Sequence, residues 1–440
     1  MRSHKKTILC LLFHVFALQA QHNISYYQHI APLIEAHCMP CHSKGGDAPF
    51  ALSNYEQVSQ KAATIAHVTT LRLMPPYPAN PRYRHFANEN YLNDQDIALI
   101  AQWVAEGKYL GSKPLCRKRK RPKLPQSTAA FSHTSAAIHT IGLPQTLPIL
   151  GDNKDRFERV LLPTELSDSI AVVGFAFRNT NRPALHHSEL MICSADDCAT
   201  TSNSDNRVGD SRSYEGGDIG GNYSYLSGWL PGQSALNGDF FPIGFAKILP
   251  PRSKFLYLLH YGPSPIDQTD SAGVLLYTVP TNSRLRPVES IDLHGTQAFG
   301  KNRFVIPPDT VITLHNQRRV DSPFSVFAIL PHAHHLAQKM RAYALTPSRD
   351  TIPLLQIDRW RFAWQWQYKL PQLLVLPQGS VIHFWVTYDN TVNNPENPHR
   401  PPQKVGYSFD ANSEMMELFL IGTPYQNGDE NRQLQWSRQD

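Results

Sequence analysis

Hydrophobic residues near the N-terminus recur with the period of a helix. One stretch, residues 24–37, places the following side chains on one helical face: Ile24, Tyr27, Ile30, Ile34 and His37. A second helix is predicted to begin at Asn93 or Asp94, since either residue can cap it. Its apolar positions are Ile97, Ile100, Ala101 and Val104. Helical periodicity fades after residue 112, and short apolar runs between prolines favour a β-rich second half.

The first predicted helix runs directly into Cys38-Met39-Pro40-Cys41-His42. This C-x-x-C-H spacing is typical of covalent haem c attachment. The thiols of Cys38 and Cys41 add to the haem vinyl groups, and His42 then lies under the iron as the proximal ligand. A redox dithiol or half of a zinc site is the alternative, but a zinc site needs a second ligand pair nearby, and Cys116 stands alone in the sequence.

Met74 is predicted to be the sixth haem ligand. It lies between the two predicted helices, and the prolines that follow it stiffen the loop that presents it. A thioether suits low-spin haem, although core packing is the more common role of a single methionine. Residues 21–111 therefore resemble a small class I cytochrome c domain. Other candidates for the sixth ligand are His29, His67 and His85.

The N-terminus predicts export. A short basic region, an apolar stretch from Ile8 to Ala17 and a plausible cleavage site after Ala20 have the order of a secretory signal peptide, residues 1–20. No later stretch is long and apolar enough for a membrane span. We expect a periplasmic or secreted protein, because haem c attachment and disulfides both belong in such compartments.

Chain length and net charge constrain the number of domains and the expected partners. A chain of 440 residues suggests about three compact units at ~150 residues each. The net charge is +6, and much of the basic excess lies in the run from Arg117 to Lys123. A charge run of this kind is usually solvated, so residues 112–135 are interpreted as a basic linker and no nucleic-acid partner is expected.

The second half contains four segments rich in histidine or methionine. They are Leu185–Cys193, Leu258–Gly262, Leu330–Leu336 and Asn412–Phe419. On a strand, His332 and His334 point to one face while His335 faces away. His186 and His187 are neighbours that normally point apart, so joint metal binding needs a β-bulge or an irregular turn. Taken singly, each segment could have a purely structural role. Taken together, their imidazole and thioether groups favour copper as the bound metal.

In this order the four segments resemble the copper type II, ascorbate-dependent monooxygenases, a family that includes peptidylglycine alpha-hydroxylating and dopamine beta-monooxygenases. The resemblance covers roughly residues 140–425 and is strongest at His260–Gly262, at His332–Leu336 and from Tyr388 to Met415. It also implies a disulfide loop, because Cys193 stands at the family's distance after the histidine pair and Cys198 follows it.

The resemblance implies a fold class and two copper sites. The expected architecture is multidomain: the small all-α cytochrome c domain, then two antiparallel, jelly-roll-like β-sandwich domains (136–285 and 286–428) separated by a solvent-filled cleft, and a polar tail (429–440). The first copper, which stores and passes on electrons, would be held by His186, His187 and His260. The second, which binds dioxygen and performs the chemistry, would be held by His332, His334 and Met415, with Met416 as the competing thioether.

The resemblance further implies a copper-dependent monooxygenase that hydroxylates a C–H bond of a small organic substrate with O2. The haem would pass single electrons to the three-histidine copper, and a redox protein or an ascorbate-like reductant would supply the haem. Leu330 replaces the arginine that grips a carboxylate in the peptide-amidating branch, and Phe419 replaces a tyrosine. Together with Trp366 and Trp385, these residues favour an apolar or aromatic substrate over glycine-extended peptides.

Two other functions are compatible with the same residues. The first is a periplasmic electron-transfer or binding protein that carries no catalytic copper. The second is a different haem enzyme, such as a peroxidase, which would need an open sixth position on the iron and so conflicts with Met74 ligation.

Overall fold

The computed structural model describes residues 24–44, 48–113, 136–163, 166–178, 180–181, 184–194, 224–229, 239–281, 284–300, 303–408 and 411–436. Strands make up 43% of the described residues and helices 14%. No helix among them is long and apolar enough to cross a membrane.

The helices are short and lie mainly near the N-terminus. Two π-helical segments, Tyr26–Ile30 and Ile34–Cys38, flank the short α-helix α1 (Ala31–Leu33). The other α-helices are α2 (Tyr55–Thr70), α3 (Asp94–Ala105) and α4 (Gly295–Phe299). Side chains cap α2 and α3, since Asn54 accepts from the amide of Gln57 and Asn93 accepts from the amide of Asp96.

The helices predicted over 24–37 and from Asn93 are therefore present, whereas α2 was missed. Its buried positions Val58, Ala62, Ile65 and Thr69 are spaced three or four residues apart, which is the spacing of one helical face. The three helical regions share one small apolar core, which includes Ile30, Ile34 and Trp103.

The described strands extend from Ala137 to Pro424. They are β1 (Ala137–Gly142), β2 (Leu147–Ile149), β3 (Arg156–Leu162), β4 (Ile170–Arg178), β5 (Leu185–Ser194), β6 (Ser224–Trp229), β7 (Asp239–Phe240), β8 (Phe245–Leu249), β9 (Ser253–Tyr261), β10 (Gln268–Asp270), β11 (Gly273–Val279), β12 (Arg286–Pro287), β13 (Glu289–His294), β14 (Val305–Ile306), β15 (Thr310–Arg319), β16 (Phe324–His332), β17 (Ala337–Leu345), β18 (Thr351–Ile357), β19 (Tyr368–Leu376), β20 (Val381–Asn390), β21 (Val405–Gly406) and β22 (Glu417–Pro424).

These strands form four larger sheets. One has the order β1-β11-β4-β8-β12 with β7 on β4, and the others are β3-β9-β5-β6, β13-β22-β16-β19 and β15-β20-β17-β18. Pairing is antiparallel throughout the larger sheets except between β12 and β8. The two smaller sheets pair β2 with β10 and β14 with β21.

Two large apolar cores hold the sheets together. The core around Val172, Phe175 and Tyr257 also contains Phe327 and Ile421, which belong to the later half of the chain. The sheets of the two halves are therefore packed on each other through buried apolar side chains rather than joined only by the chain.

The predicted fold class, a separate all-α cytochrome c domain followed by two β-sandwich domains, is wrong. The chain is mostly β, with four larger sheets, and its described helical residues do not form a distinct all-α domain. Ala79 and Phe86 lie in the core of the later sheets. The amide of Asn80 bonds the carbonyl of Gln356 at 2.8 Å, and Ala79 forms a β-bridge with Ile357. Helical periodicity is local, so it could not show that residues after Met74 pack on distant strands.

Several predictions fall on residues outside the described ranges. These are the signal peptide, most of the basic linker with Cys116, and Cys198. The proposed domain boundaries stay predictions. Within the segment interpreted as a polar tail, Asp429 is buried and Trp436 packs against Phe327.

A buried ion pair fastens the start of β12 to the turn after β22. Arg286 donates to both carboxylate oxygens of Asp429, at 2.5 and 2.8 Å, and Ser325 donates to the same carboxylate at 2.6 Å. We expect Asp429→Ala to lower the free energy of unfolding by about 3–5 kcal/mol, because it leaves the Arg286 guanidinium buried without its anion. Urea unfolding followed by tryptophan fluorescence measures the loss, and the same change at exposed Asp321 should cost within about 0.5 kcal/mol.

The loss of unfolding free energy in Asp429→Ala should depend on pH. Burial raises the pKa of Asp429, but the bonds from Arg286 and Ser325 outweigh it and leave the pKa lowered. A lowered folded-state pKa means that the stabilisation is present above the unfolded pKa of the carboxyl and is lost as pH falls through the folded value. The difference between Asp429→Ala and the wild type should therefore shrink in acid, and a difference that grows in acid would contradict this assignment.

Candidate metal centres

The first predicted ligand set lies on two neighbouring strands, β5 and β9. The ladder between them shifts register between Leu185 and His187, so His186 occupies a bulge. The irregularity that joint binding by the neighbouring histidines requires is therefore present. His187 stands directly opposite His260 on β9. The bulge lets both histidines of the pair approach the third.

The three imidazoles of this set converge. The Nδ1 atom of His187 lies 3.0 Å from that of His186 and 3.3 Å from that of His260. One ring nitrogen from each histidine falls within 4.8 Å of the other two, and no other described group of three or more histidine, cysteine, aspartate or glutamate side chains does so. Three imidazole nitrogens suit copper, zinc or iron. We call His186, His187 and His260 the three-histidine cluster.

Asp155 orients this cluster, and the sequence analysis missed it. Its carboxylate accepts from His260 Nε2 at 2.7 Å, and the ring of Phe157 stacks on the same imidazole at 4.1 Å. A proton on Nε2 leaves the Nδ1 lone pair of His260 for a metal, which is the usual carboxylate–histidine–metal arrangement. In the sequence, Asp155 is only an aspartate just before a strand. Because it pairs with a histidine far along the chain, nothing local indicates that it orients His260.

Burial lowers the pKa of four of the candidate ligand imidazoles. It lowers the pKa of His186 to about 4 and that of His187 well below its usual value. Burial likewise lowers the pKa of His332 to about 4 and that of His334 well below its usual value. Neutral imidazole is the form that binds a metal, so these side chains are ready to act as ligands at neutral pH.

The second predicted ligand set begins where β16 ends. His332 Nδ1 lies 2.6 Å from Gln365 Oε1, and His334 Nδ1 lies 3.0 Å from the carbonyl of Ser413. Both contacts are to oxygen acceptors, so each Nδ1 donates and each Nε2 remains for a ligand. The ring centroids are 5.1 Å apart. We call His332, His334 and Met415 the His-Met cluster.

A buried carboxylate holds the parts of the His-Met cluster together. Glu414 accepts from the amides of His334 at 2.9 Å, Leu336 at 2.6 Å and Met415 at 3.2 Å. Burial raises the pKa of Glu414 to about 8, although these backbone bonds act in the opposite direction. The side chain therefore fixes the histidine loop relative to the methionine that follows it.

The two adjacent methionines have different surroundings. Met416 is fully buried in the apolar core of the later sheets, close to Gly295. Met415 is not a member of that core, and its carbonyl accepts from Tyr388 at 2.7 Å. Successive side chains of an extended chain point to opposite faces, so this placement favours Met415 as the ligand.

The phenyl ring of Phe362 lies between the two clusters. Its centroid is 5.1 Å from the His186 ring and 5.4 Å from the His334 ring. The expected solvent-filled cleft is thus replaced here by an aromatic contact. His335, which was predicted to face away from His332 and His334, also packs on Phe362, at 4.4 Å, so it contacts the same ring as His334.

The C-x-x-C-H segment has the local geometry that haem attachment requires. His42 Nδ1 lies 3.0 Å from the carbonyl of Phe50, which leaves Nε2 for an iron. Neither Cys38 nor Cys41 is in a disulfide, and burial raises the pKa of Cys38 to about 11. The His42 contact is thus compatible with iron ligation through Nε2.

Met74 lines a cavity of about 700 Å³, a size within the usual range for cofactor sites. Apolar groups such as Leu73 and Ile97 share the lining with Arg359 and Arg361. An apolar cavity with guanidinium groups suits a flat porphyrin that carries carboxylates. Cys38, Cys41 and His42 do not appear in this lining, so the structure brings Met74, but not the attachment motif, to the cavity.

The other candidate haem ligands have local partners. His29 bonds the amide of Ser25 at 3.0 Å, and His85 lies 3.0 Å from a carboxylate oxygen of Glu89. His67 is exposed on α2. None of these contacts favours them over Met74.

The residues taken as substrate indicators separate into two groups. Leu330 and Phe419 are direct cross-strand partners close to His332 and Glu417. Trp366 instead donates to the carbonyl of Pro76 at 2.6 Å, and Trp385 is 36% exposed and stacks on His315 at 3.9 Å. The two tryptophans therefore give no support to an aromatic substrate. Cys193 is disulfide-bonded, and its predicted partner lies outside the described residues.

Comparisons with known proteins do not place the chain in a family. No family model matches it, and no curated protein does. Similar solved structures include the VP2 subviral particle of infectious bursal disease virus, at 10% identity and a TM-score of 0.18 over 68% of this chain and 75% of that one. The Gt strain of the same virus gives 12% identity and a TM-score of 0.18 over 71% and 77%. Scores this low carry no argument about fold or function.

The role of Asp155 can be tested by Asp155→Asn. An amide is a poorer acceptor from His260, so we expect copper affinity at the three-histidine cluster to fall about 10–100-fold. Competition titration with a copper chelator measures the change. Asp152→Asn is the matched control, because Asp152 lies nearby but pairs with Arg156. Equal losses of copper affinity in both variants would contradict the orienting role of Asp155.

The choice between the methionines can be tested by a pair of leucine variants. Met415→Leu removes the thioether at nearly constant volume, so Cu(I) affinity at the His-Met cluster should fall by at least about tenfold. Met416→Leu should keep that affinity and cost less than about 1.5 kcal/mol of folding stability. Cu(I) competition titration and thermal unfolding give both readouts, and the reverse pattern would assign the ligand to Met416.

Proposed function

We propose that the chain is an exported, copper-dependent monooxygenase that receives its electrons through a covalently attached haem c. The observation that carries the proposal is the convergence of His186, His187 and His260, with the His332–His334 pair on the other side of Phe362. Glu414 links the amide of His334 to that of Met415. Imidazoles together with a thioether are a donor set that favours copper and accommodates Cu(I).

The two clusters would have different roles. When bound, the coppers supply one-electron chemistry and dioxygen activation, by which one oxygen atom enters a substrate C–H bond and the other leaves as water. His186, His187 and His260 would hold the electron-storing ion, and Asp155 fixes the tautomer of His260. His332, His334 and Met415 would hold the catalytic ion, and Gln365 and the carbonyl of Ser413 orient the two imidazoles.

The haem part of the proposal rests on Cys38, Cys41, His42 and Met74. The bond from His42 Nδ1 to the Phe50 carbonyl orients its Nε2, and Met74 lines the cavity. The haem would accept electrons from an external redox protein or an ascorbate-like reductant and pass them on singly. Export to a periplasm or outside the cell follows from the proposed signal peptide and haem attachment.

The substrate is proposed to be a small organic molecule with an apolar group near the reacting carbon. Leu330 and Phe419 pair across β16 and β22, and Tyr225 stacks on Phe419 at 5.2 Å. A carboxylate-bearing peptide end would find no arginine at position 330, so it would lose the bidentate partner that such a group needs.

Metal analysis and oxygen uptake test the proposal. The purified protein should contain two coppers and one covalent haem iron, show a Cu(II) magnetic resonance signal, and consume O2 with a C–H substrate and a reductant. His332→Ala should abolish substrate-dependent uptake while keeping the haem, because it removes a ligand of the catalytic copper. Folded, haem-loaded protein without a Cu(II) signal would instead identify an electron-transfer protein, and zinc in place of copper would exclude the redox role.

A further inference from the structure

The cavity that Met74 lines has walls from two distant parts of the chain, and we call it the Met74 cavity. Residues between Thr69 and Ile97 form one wall, and residues between Asp358 and Trp364, from the connection of β18 to β19, form the other. Its volume of about 700 Å³ is typical of a small-molecule site. The lining does not include the C-x-x-C-H motif, so a haem attached through that motif does not account for this space.

Arginines outnumber acids in the lining of the Met74 cavity. The arginines are Arg72, Arg82, Arg359 and Arg361, and the acids are Asp94 and Asp358. Both acids already have partners: Asp94 pairs with Arg72, and Asp358 accepts from the side-chain amides of Asn80 at 2.6 Å and Gln356 at 2.7 Å. In the part of the chain that the structure describes, no carboxylate lies within ion-pair distance of the other three arginines. A recess lined mainly by one sign of charge concentrates counter-ions, so the cavity favours an anion.

Flat and stiff side chains form much of the remaining lining. They are the aromatic residues Tyr77, Tyr91 and Trp364 and the prolines Pro75, Pro76, Pro78 and Pro81. The rings of Tyr77 and Tyr91 stack with centroids 6.2 Å apart. Proline fixes the backbone, so this wall has little conformational freedom to lose when a ligand binds. Such a lining suits a ligand with a flat, apolar body.

A tight turn places a guanidinium close to an aromatic ring. The amide of Trp364 donates to the carbonyl of Arg361 at 3.0 Å, and both side chains line the cavity. Between them, Phe362 is only 3% exposed and stacks on His186, so the turn is anchored in the protein interior. Trp366 donates to the carbonyl of Pro76 at 2.6 Å, which ties this wall to the opposite one. The charged and aromatic parts of the lining are therefore held in place before a ligand binds.

We propose that the Met74 cavity is a binding site for a flat organic carboxylate, separate from both candidate copper sites and from the haem attachment motif. Arg361 pairs with the carboxylate, Arg82 and Arg359 add to the positive field, and Trp364 packs on the body of the ligand. A guanidinium binds a carboxylate through two parallel hydrogen bonds, which gives orientation as well as affinity. The inference goes beyond the proposed function, since it requires neither copper nor oxygen chemistry.

The test uses 2-naphthoate and the full-length, haem-loaded protein. Isothermal titration should show one saturable site. The melting temperature should rise with 2-naphthoate concentration, because a ligand that binds only the folded chain stabilises it. 2-Naphthamide keeps the two rings but lacks the charge, so it should bind at least about tenfold more weakly. Inorganic phosphate should compete only weakly, because it lacks the apolar body.

Two variants and two matched controls locate the site. Arg361→Gln removes a guanidinium and Trp364→Leu removes a ring, and each should lower the affinity for 2-naphthoate by about tenfold or more. The controls are Arg319→Gln, at an exposed arginine on β15, and Trp385→Leu, at an exposed tryptophan on β20. Neither control residue lines the cavity, so both variants should keep wild-type affinity.

Several results would overturn this site. They are the absence of saturable binding, equal affinity for 2-naphthamide, equal competition by phosphate, and undiminished affinity in Arg361→Gln. Binding to haem-free protein that is lost in the haem-loaded protein would assign the cavity to the haem and would also overturn the inference. None of these results changes the proposed function, which fails separately if the protein shows no Cu(II) signal.

Discussion

The buried carboxyl group of Glu414 makes the interaction on which the geometry of the His-Met cluster depends. It accepts hydrogen bonds from the backbone amides of His334 and Leu336 and from that of Met415, which lies just before β22. Burying a carboxyl group is costly, and several amide bonds to one group offset that cost only when the whole loop adopts a single shape. The same residue therefore ties the backbone of the histidine loop to the backbone of Met415.

The sequence predicted the ligand types of both centres but not the groups that orient them. His186, His187 and His260 were found because a histidine pair and an isolated histidine in an apolar run are visible in one dimension, and the bulge that joins them follows from their adjacency. Asp155 and Gln365 were not found. Each acts on a histidine more than thirty residues away, and neither has a spacing that signals the contact.

The fold was predictable in its local elements and not in its assembly. Helical periodicity and an N-cap located α3, and β-rich character after residue 112 agrees with the described strands. The architecture drawn from those elements was wrong, because the loop after Met74 bonds the chain near Gln356 and packs Ala79 and Phe86 into a core formed by much later strands. Such pairing depends on long-range contacts that no local pattern encodes.

The docking of the Met74 loop on the later sheets bears on how the proposed haem and copper sites would exchange electrons. A flexible basic linker raises the effective concentration of two tethered partners but leaves their distance to fluctuate. Here Asn88 bonds the backbone at both Gln367 and Lys369, and Trp366 bonds Pro76, so the Met74 loop is held against the later sheets at several points.

An electron-transfer rate that is set by one fixed distance between donor and acceptor should not change with the length of the linker. Shortening the segment around residues 114–135 therefore distinguishes a docked path from a tethered collision: the docked path predicts an unchanged rate of haem oxidation, and a tethered collision predicts a rate that rises as the linker shortens.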